Sequence, residues 1–484
     1  MNTPLSSWEA FFYLSFWIGH SLYAFYTTLS ASQDYIGYAK FYKRPLQHGW
    51  LISDSYKDWS PDWELMLEDF KSRLPLLLIH AVVFNLVAPK LRTSFATALT
   101  LTTWVLLHLY IHSWTIIARS LAQGVLLLIV SKLLPKRLGP LAILGLTTGF
   151  LVHVMMTPLE NWKDNALISY KLLQFTSFCM DSLKEERKES FFTSLLNMTY
   201  YSLYFPATVL VHIPYHQFKI EPAKRNWMEI VILGIRLLFW SFVAELVLHF
   251  FYVYSMMNDA NFLYQLNSRL SITSIGYVCG QFFHLVYIFG FGIVYWWAKI
   301  DGVGSCGLPV CIARVSLYTK MWRYFDRGLY QFNKNYIYIP LVSELGGLAG
   351  HLVASFAAFF FIWVWHFGSV TMTYWVALNF LEATIEHIGR LIWRNTGLGE
   401  WITSKLGARM TRRFVALMQV PCAFIGLLSI FTFLGSQDAK TGAVFANTIL
   451  KDTFLAFSPY SLYIIFFLYC YCQCCIELET RFDF

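Results

Sequence analysis

The run LGGLAGHLVASFAAFFFIWVWHFGSVTMTYWVALNFL, residues 345–381, decides what kind of molecule this chain forms. It holds no Asp, Glu, Lys or Arg, and its only basic side chains are His351 and His366. A bilayer crossing needs about 20 consecutive, mostly apolar residues, so this stretch is long enough for nearly two. Working outward, residues 93–118, 271–298 and 414–437 pass the same test without a charged side chain. Further apolar segments lie near 8–30, 74–89, 120–134, 139–157, 196–215, 228–254 and 453–475, and the long run itself divides into 337–362 and 363–388. The 484 residues are 57% hydrophobic and 14% charged, against roughly 25% charged in a soluble domain. The expected fold class is all-α: a polytopic membrane protein with about ten to twelve transmembrane or re-entrant helices.

Charge adds orientation. Lys plus Arg number 37 against 29 for Asp plus Glu, a net charge of +8. In a membrane protein such an excess gathers in cytosolic loops beside anionic headgroups. No basic block interleaved with aromatics points to nucleic acid. Basic punctuations at Lys90 and Arg92, Lys136 and Arg137, 184–188, Lys224 and Arg225, and 405–413 all belong on the cytosolic side by this rule. They cannot share one side if every apolar segment crosses, so some segments are expected to be re-entrant or interfacial. Two stretches look interfacial: 41–71, with Trp50, Trp59 and Trp63 among charges, and 308–334, too charged to cross lipid and too aromatic for a free loop. The N-terminus has no basic region or small-residue cleavage site, so 8–30 is read as a retained first span. Residues 1–484 read as a single membrane-embedded domain.

Ionisable groups inside apolar runs are costly and tend to be functional or paired. His366, in WVWHFG (363–368), is the most conspicuous; its bland alternative is a neutral core histidine bonded to a carbonyl. His108 and His112 share a helix face at metal-compatible spacing, but no further ligand follows. His212 and His216 flank Pro214 and mark a bend. Glu245, His249, Glu382 and Glu386 can be buried and paired, and the sequence alone does not choose. The sequon at Asn197 borders an apolar run and is expected to stay unmodified. Nine cysteines form neither a zinc pattern nor a disulfide scaffold. Four fall within 470–475, where Cys474 and Cys475 are either S-acylation sites or lipid-facing thiols.

The segment MWRYFD (321–326), followed forty residues after Asp326 by His366, resembles the membrane-bound O-acyltransferase superfamily. Most members that modify lipids or sterols carry Asn at the first position. Aspartate there, within WRYFD, resembles the Hedgehog acyltransferase branch, as do NYIYIP (335–340), WVALN (375–379) and FLYCY (467–471). The resemblance is densest over 309–387 and loose along the rest. It implies that fold, with a catalytic core at about 270–436. It also implies His366 and Asp326 as the catalytic pair, Cys311 as ligand to the iron of a structural haem b, and Trp322 and Arg323 as lining for the acyl-CoA channel. One departure is Phe367, where the family usually has glycine.

The implied reaction carries a palmitoyl group from palmitoyl-CoA to the N-terminal cysteine amine of a secreted Hedgehog-type protein, with EGF-like ligands as further acceptors. The implied location is the endoplasmic reticulum or Golgi membrane. A thiol of pKa about 8.5 is a reasonable leaving group, whereas an α-amine of pKa about 7.7–8.0 must lose a proton before attacking. A histidine in a low-dielectric span stays neutral and can take that proton. Asp326 either orients the imidazole or binds the acceptor amine. Rival readings are a relative acting on a serine hydroxyl, lysophospholipid or sterol, a non-catalytic scaffold of the same fold, and a transporter; the last predicts inverted repeats, which are absent.

Overall fold

Hydrocarbon offers no partner to a backbone N–H or C=O, so each apolar run satisfies its own as a helix. The computed structural model describes residues 4–44, 46–51, 55–185, 189–435 and 439–482. Among these residues thirteen helices have twelve or more residues. They are α1 (Ser7–Phe41), α2 (Pro61–Ala81), α3 (Thr93–Ile111), α4 (Trp114–Leu133), α5 (Gly139–Met156), α6 (Trp162–Ser182), α7 (Phe191–Ser202), α8 (Trp227–Phe250), α9 (Arg269–Asp301), α10 (Gly347–Trp365), α11 (Val370–Asn395), α12 (Leu398–Leu434) and α13 (Pro459–Arg481). The described strands are the two-residue pair Gln47–His48 and Tyr56–Lys57.

Among the described residues nine helices are long and apolar enough to cross a membrane: α2 with its continuation to Lys90, α3, α4, α5, α8, α9, α10, α12 and α13. α1 and α11 pack among them, α1 against α9 and α13, and α11 against α10 and α12. α6 had no counterpart in the apolar segments because it carries Lys163, Asp164, Lys171 and Asp181. α4, α5 and α7 shield it, and polar groups are matched inside: Lys171 donates to Gln174 at 3.1 Å and to the Ser202 carbonyl, and Tyr336 donates to Asp181 at 2.8 Å. Conversely, the apolar segment 196–215 is no span. α7 stops at Ser202, and the chain returns through short turns. Gly346, at φ +63°, breaks the expected 337–362 helix and starts α10 afresh.

The basic helix ends converge on one face. Arg413 of α12 pairs with Glu9 of α1, and Arg412 reaches Glu477 of α13 at 2.6 Å. Lys320 meets Glu479 at 2.5 Å, Lys132 of α4 donates to the Glu189 carbonyl at 3.3 Å, and Arg225 donates to the Asp301 carbonyl at 3.2 Å. The run 184–188 lies partly outside the described residues. Two segments, 191–225 and 302–346, enter and leave from this face. They reconcile the one-sided charge with the number of helices, which every segment crossing would not. By the positive-inside rule this face is cytosolic. Away from it, Arg44 pairs with Asp259 at 3.0 Å and Arg269 with Ser458 at 2.7 Å, and Gly368 lies beside Met155 at the end of α5.

Candidate active site

α10 ends at Trp365, so His366 is the residue that caps it (φ −93°, ψ 26°), at the turn into α11. His366 therefore stands at the C-terminal end of a 19-residue helix rather than within it. The turn is a Schellman-type closure. Phe367 N–H donates to the Val364 carbonyl at 3.1 Å and Gly368 N–H to the Trp363 carbonyl at 3.0 Å. It places Phe367 at φ +61°, a conformation that costs a side chain other than glycine roughly 1–2 kcal/mol. The imidazole turns inward, edge-on to Trp375 at 5.1 Å and to Phe433 at 6.0 Å between ring centres.

Asp326 comes from the re-entrant segment. It is the N-cap of the short helix Arg327–Phe332 and accepts the Leu329 N–H at 2.9 Å. Burial raises its pKa from 3.8 to about 6, partly offset by the N–H groups of Leu329 and Gly328. Asp326 and His366 line one cavity of about 880 Å³, walled by Tyr170, Phe283, Tyr287, Trp322, Trp375 and Phe433 among others. Among the described residues no hydrogen bond joins the carboxyl to the imidazole. The fold therefore gives the pair a shared cavity rather than a triad-like contact.

Gly328 makes this placement possible. A Cβ there would overlap the carbonyl oxygen of His212, where the two re-entrant segments meet. Gly328→Ala is expected to cost about 1–3 kcal/mol by overpacking. Because it shifts the turn that aims Asp326, transfer should fall at least tenfold even at temperatures where the variant stays folded. Thermal unfolding and turnover measured on one preparation check both.

The other sequence-marked residues separate. Trp322 lines the cavity and donates to Asn379 at 2.9 Å; Asn379 in turn donates to Ser429 at 2.9 Å. Arg323, one position on, is exposed with its guanidinium 6.0 Å over Tyr324, so its place in the channel is corrected: successive helical residues point about 100° apart. Cys311 lines neither this cavity nor the one next to it. Tyr471 clamps the adjoining turn through the Ile312 and Val315 carbonyls at 3.3 and 2.6 Å. These residues do not fit a haem as they stand. Cys474 is 5% exposed and Cys475 fully buried beside the Ala313 carbonyl, so acylating either thiol would require α13 to lift away.

The remaining polar candidates have ordinary partners. His112 pairs with Asp164 at 2.6 Å, and His108 meets the Trp104 carbonyl at 2.7 Å. Glu245 accepts from Lys57 and Trp63, and Glu386 accepts the Tyr318 N–H at 2.6 Å. His212 and Glu382 are the exceptions: among the described residues the ring nitrogens of buried His212 have no hydrogen-bond partner, and neither do the carboxyl oxygens of Glu382, which is fully buried. Glu382 faces a second cavity of about 790 Å³, which shares Gly280, Ile312, Tyr318, Met321 and Ile430 with the first. The walls use residues beyond 270–436, namely Trp17, Tyr170, Phe467, Leu468 and Tyr471. Tyr170 carries no signal in the sequence because it lies on the polar helix α6.

Comparison with known proteins adds family information. A family model described as the membrane-bound O-acyltransferase family matches residues 65–429. The chain is 28% identical over 319 residues to protein-cysteine N-palmitoyltransferase Rasp of Drosophila melanogaster, covering 65% of this chain and 63% of that one. It is 29% identical over 283 residues to protein-cysteine N-palmitoyltransferase HHAT of Mus musculus, covering 57% and 55%. These two matches thus span less than two thirds of either relative. The mouse HHAT-like protein aligns over 99% of this chain and 96% of its own length at 24% identity.

Proposed function

The chain belongs to the membrane-bound O-acyltransferase family, and on that premise we propose that it is a palmitoyltransferase. In this reading it moves the acyl group of palmitoyl-CoA to the N-terminal cysteine amine of a secreted Hedgehog-type protein, with EGF-like ligands as further acceptors, in the endoplasmic reticulum or Golgi membrane. The observation that carries the reading is the shared cavity: one imidazole and one carboxylate face each other's space inside an apolar, aromatic wall. The names of two relatives as protein-cysteine N-palmitoyltransferases support the acceptor class.

The chemistry divides between the two side chains. Asp326, with no bond to His366, is left to hold the acceptor's ammonium group by a charge-assisted hydrogen bond. The ammonium releases one proton to solvent; as the neutral nitrogen then attacks the thioester carbonyl carbon, His366 takes the second proton from it. When the tetrahedral intermediate collapses, the C–S bond breaks and the imidazolium returns its proton to the departing coenzyme A thiolate, leaving an amide and a neutral histidine. General base catalysis of this kind contributes typically 10²–10⁴-fold; holding both reactants in one water-poor cavity supplies more. Haem enters no step.

Purified protein, labelled palmitoyl-CoA and an acceptor panel test the assignment. A peptide beginning Cys-Gly-Pro should take up label, while Ser peptides, lysophospholipid and sterol should not. Preferential labelling of any of the latter would overturn the acceptor assignment while leaving an acyltransferase.

A further inference from the structure

Phe367 is a strained residue with no task inside the fold. Its φ of +61° is in the region that favours glycine, yet its side chain is 49% exposed and, among the described residues, makes no ring contact. Strain persists where the surroundings over-determine it and clusters at functional sites; here nothing in the core uses the ring. Its position is specific. It directly follows His366, and Val370 beyond the turn is 72% exposed. Phe433 and Leu434, from the last turn of α12, line the His366 cavity from this same end. The turn lies on the face opposite the converged basic helix ends, the side from which a secreted polypeptide arrives.

We propose that Phe367 is a specificity-determining residue that contacts the acceptor polypeptide just past its N-terminal residue and sets how well the longer chain binds. This rests on the proposed acceptor class. The occupant is a polypeptide because coenzyme A, being cytosolic, comes from the basic face, and because the ring directly follows the base in the chain yet lines neither cavity. An apolar ring held out on a rigid closed turn offers contact area at low cost in side-chain entropy. Gly368 keeps the turn tight: at φ +58°, a Cβ on it would stand 2.9 Å from the Trp363 ring.

The test compares wild type with Phe367→Gly and Phe367→Leu on two acceptors, a ten-residue peptide beginning Cys-Gly-Pro and cysteine amide alone. Phe367→Gly removes both ring and strain, so its melting temperature should not fall. Its KM for the peptide should rise about tenfold, with kcat, the KM for palmitoyl-CoA and transfer to cysteine amide within about twofold of wild type. Phe367→Leu should recover most of the peptide KM. An unchanged ratio of peptide to cysteine amide KM in Phe367→Gly would overturn the proposal and mark the ring as an interfacial lipid contact, as would a change confined to palmitoyl-CoA. Wild-type protein that labels neither acceptor would sink the palmitoyltransferase reading itself, and this proposal with it.

Discussion

His366→Ala is expected to reduce palmitoyl transfer to a Cys-terminal peptide by at least about 10²-fold, the lower end of what a positioned general base contributes. The substitution should leave the protein folded. The imidazole makes no hydrogen bond among the described residues and touches Trp375 and Phe433 only edge-on, so its loss enlarges an existing cavity rather than orphaning a buried partner. The backbone closure of the turn uses N–H and C=O groups of residues 362–368 and does not depend on the side chain. Turnover and detergent-solubilised melting should therefore separate cleanly. Activity close to wild type in a folded His366→Ala protein would remove the base from the mechanism.

The second large effect is in the pH profile. Burial places the Asp326 carboxyl near 6, so ionisation completes only above that pH. If the carboxylate grips the acceptor ammonium, kcat/KM climbs as pH rises through about 6. It climbs again as the acceptor amine, ordinarily at about 7.7–8.0, loses its proton. Asp326→Asn keeps the size but removes the charge. The rise near 6 should disappear and the plateau should drop by about 10–10²-fold, the worth of one hydrogen bond to a charged group. Stability runs the other way. A folded-state pKa above the unfolded value of 3.8 means that the native state binds more protons, so stability falls as pH rises from about 4 to about 6. At pH 7 the asparagine variant should therefore be no less stable than wild type, provided its amide accepts the Leu329 N–H. A variant that keeps the limb near 6 would assign that titration elsewhere.

How far the sequence carried the reading depends on the residue. The apolar runs announced most spans, and the forty-residue interval from Asp326 to His366 singled out the pair that shares a cavity. α6 was illegible because a helix shielded by protein on all sides needs no apolar composition: Lys171 and Asp181 find partners that lipid would not supply. Arg323 and Trp322 are neighbours in sequence, yet one is exposed and the other lines the cavity. The phase of a seven-residue helix, Tyr318–Tyr324, decides that, and no hydropathy pattern records it. Glu382 and Glu386 looked alike four residues apart, and only packing gave one its partners and left the other without.

The sequence by itself determined that this chain is a helical membrane protein, which family it resembles, and which two side chains carry charge or proton affinity where lipid makes both expensive. Those are local properties, written in hydropathy, residue type and spacing. Tertiary structure alone decided that His366 caps a helix rather than sitting within one, that Asp326 meets it across a cavity without a bond, and that Phe367 holds a strained place on the turn. Each of these depends on where segments distant in the chain come to lie. Between helices already in lipid, packing and hydrogen bonds select that arrangement, because burying apolar surface no longer distinguishes one from another.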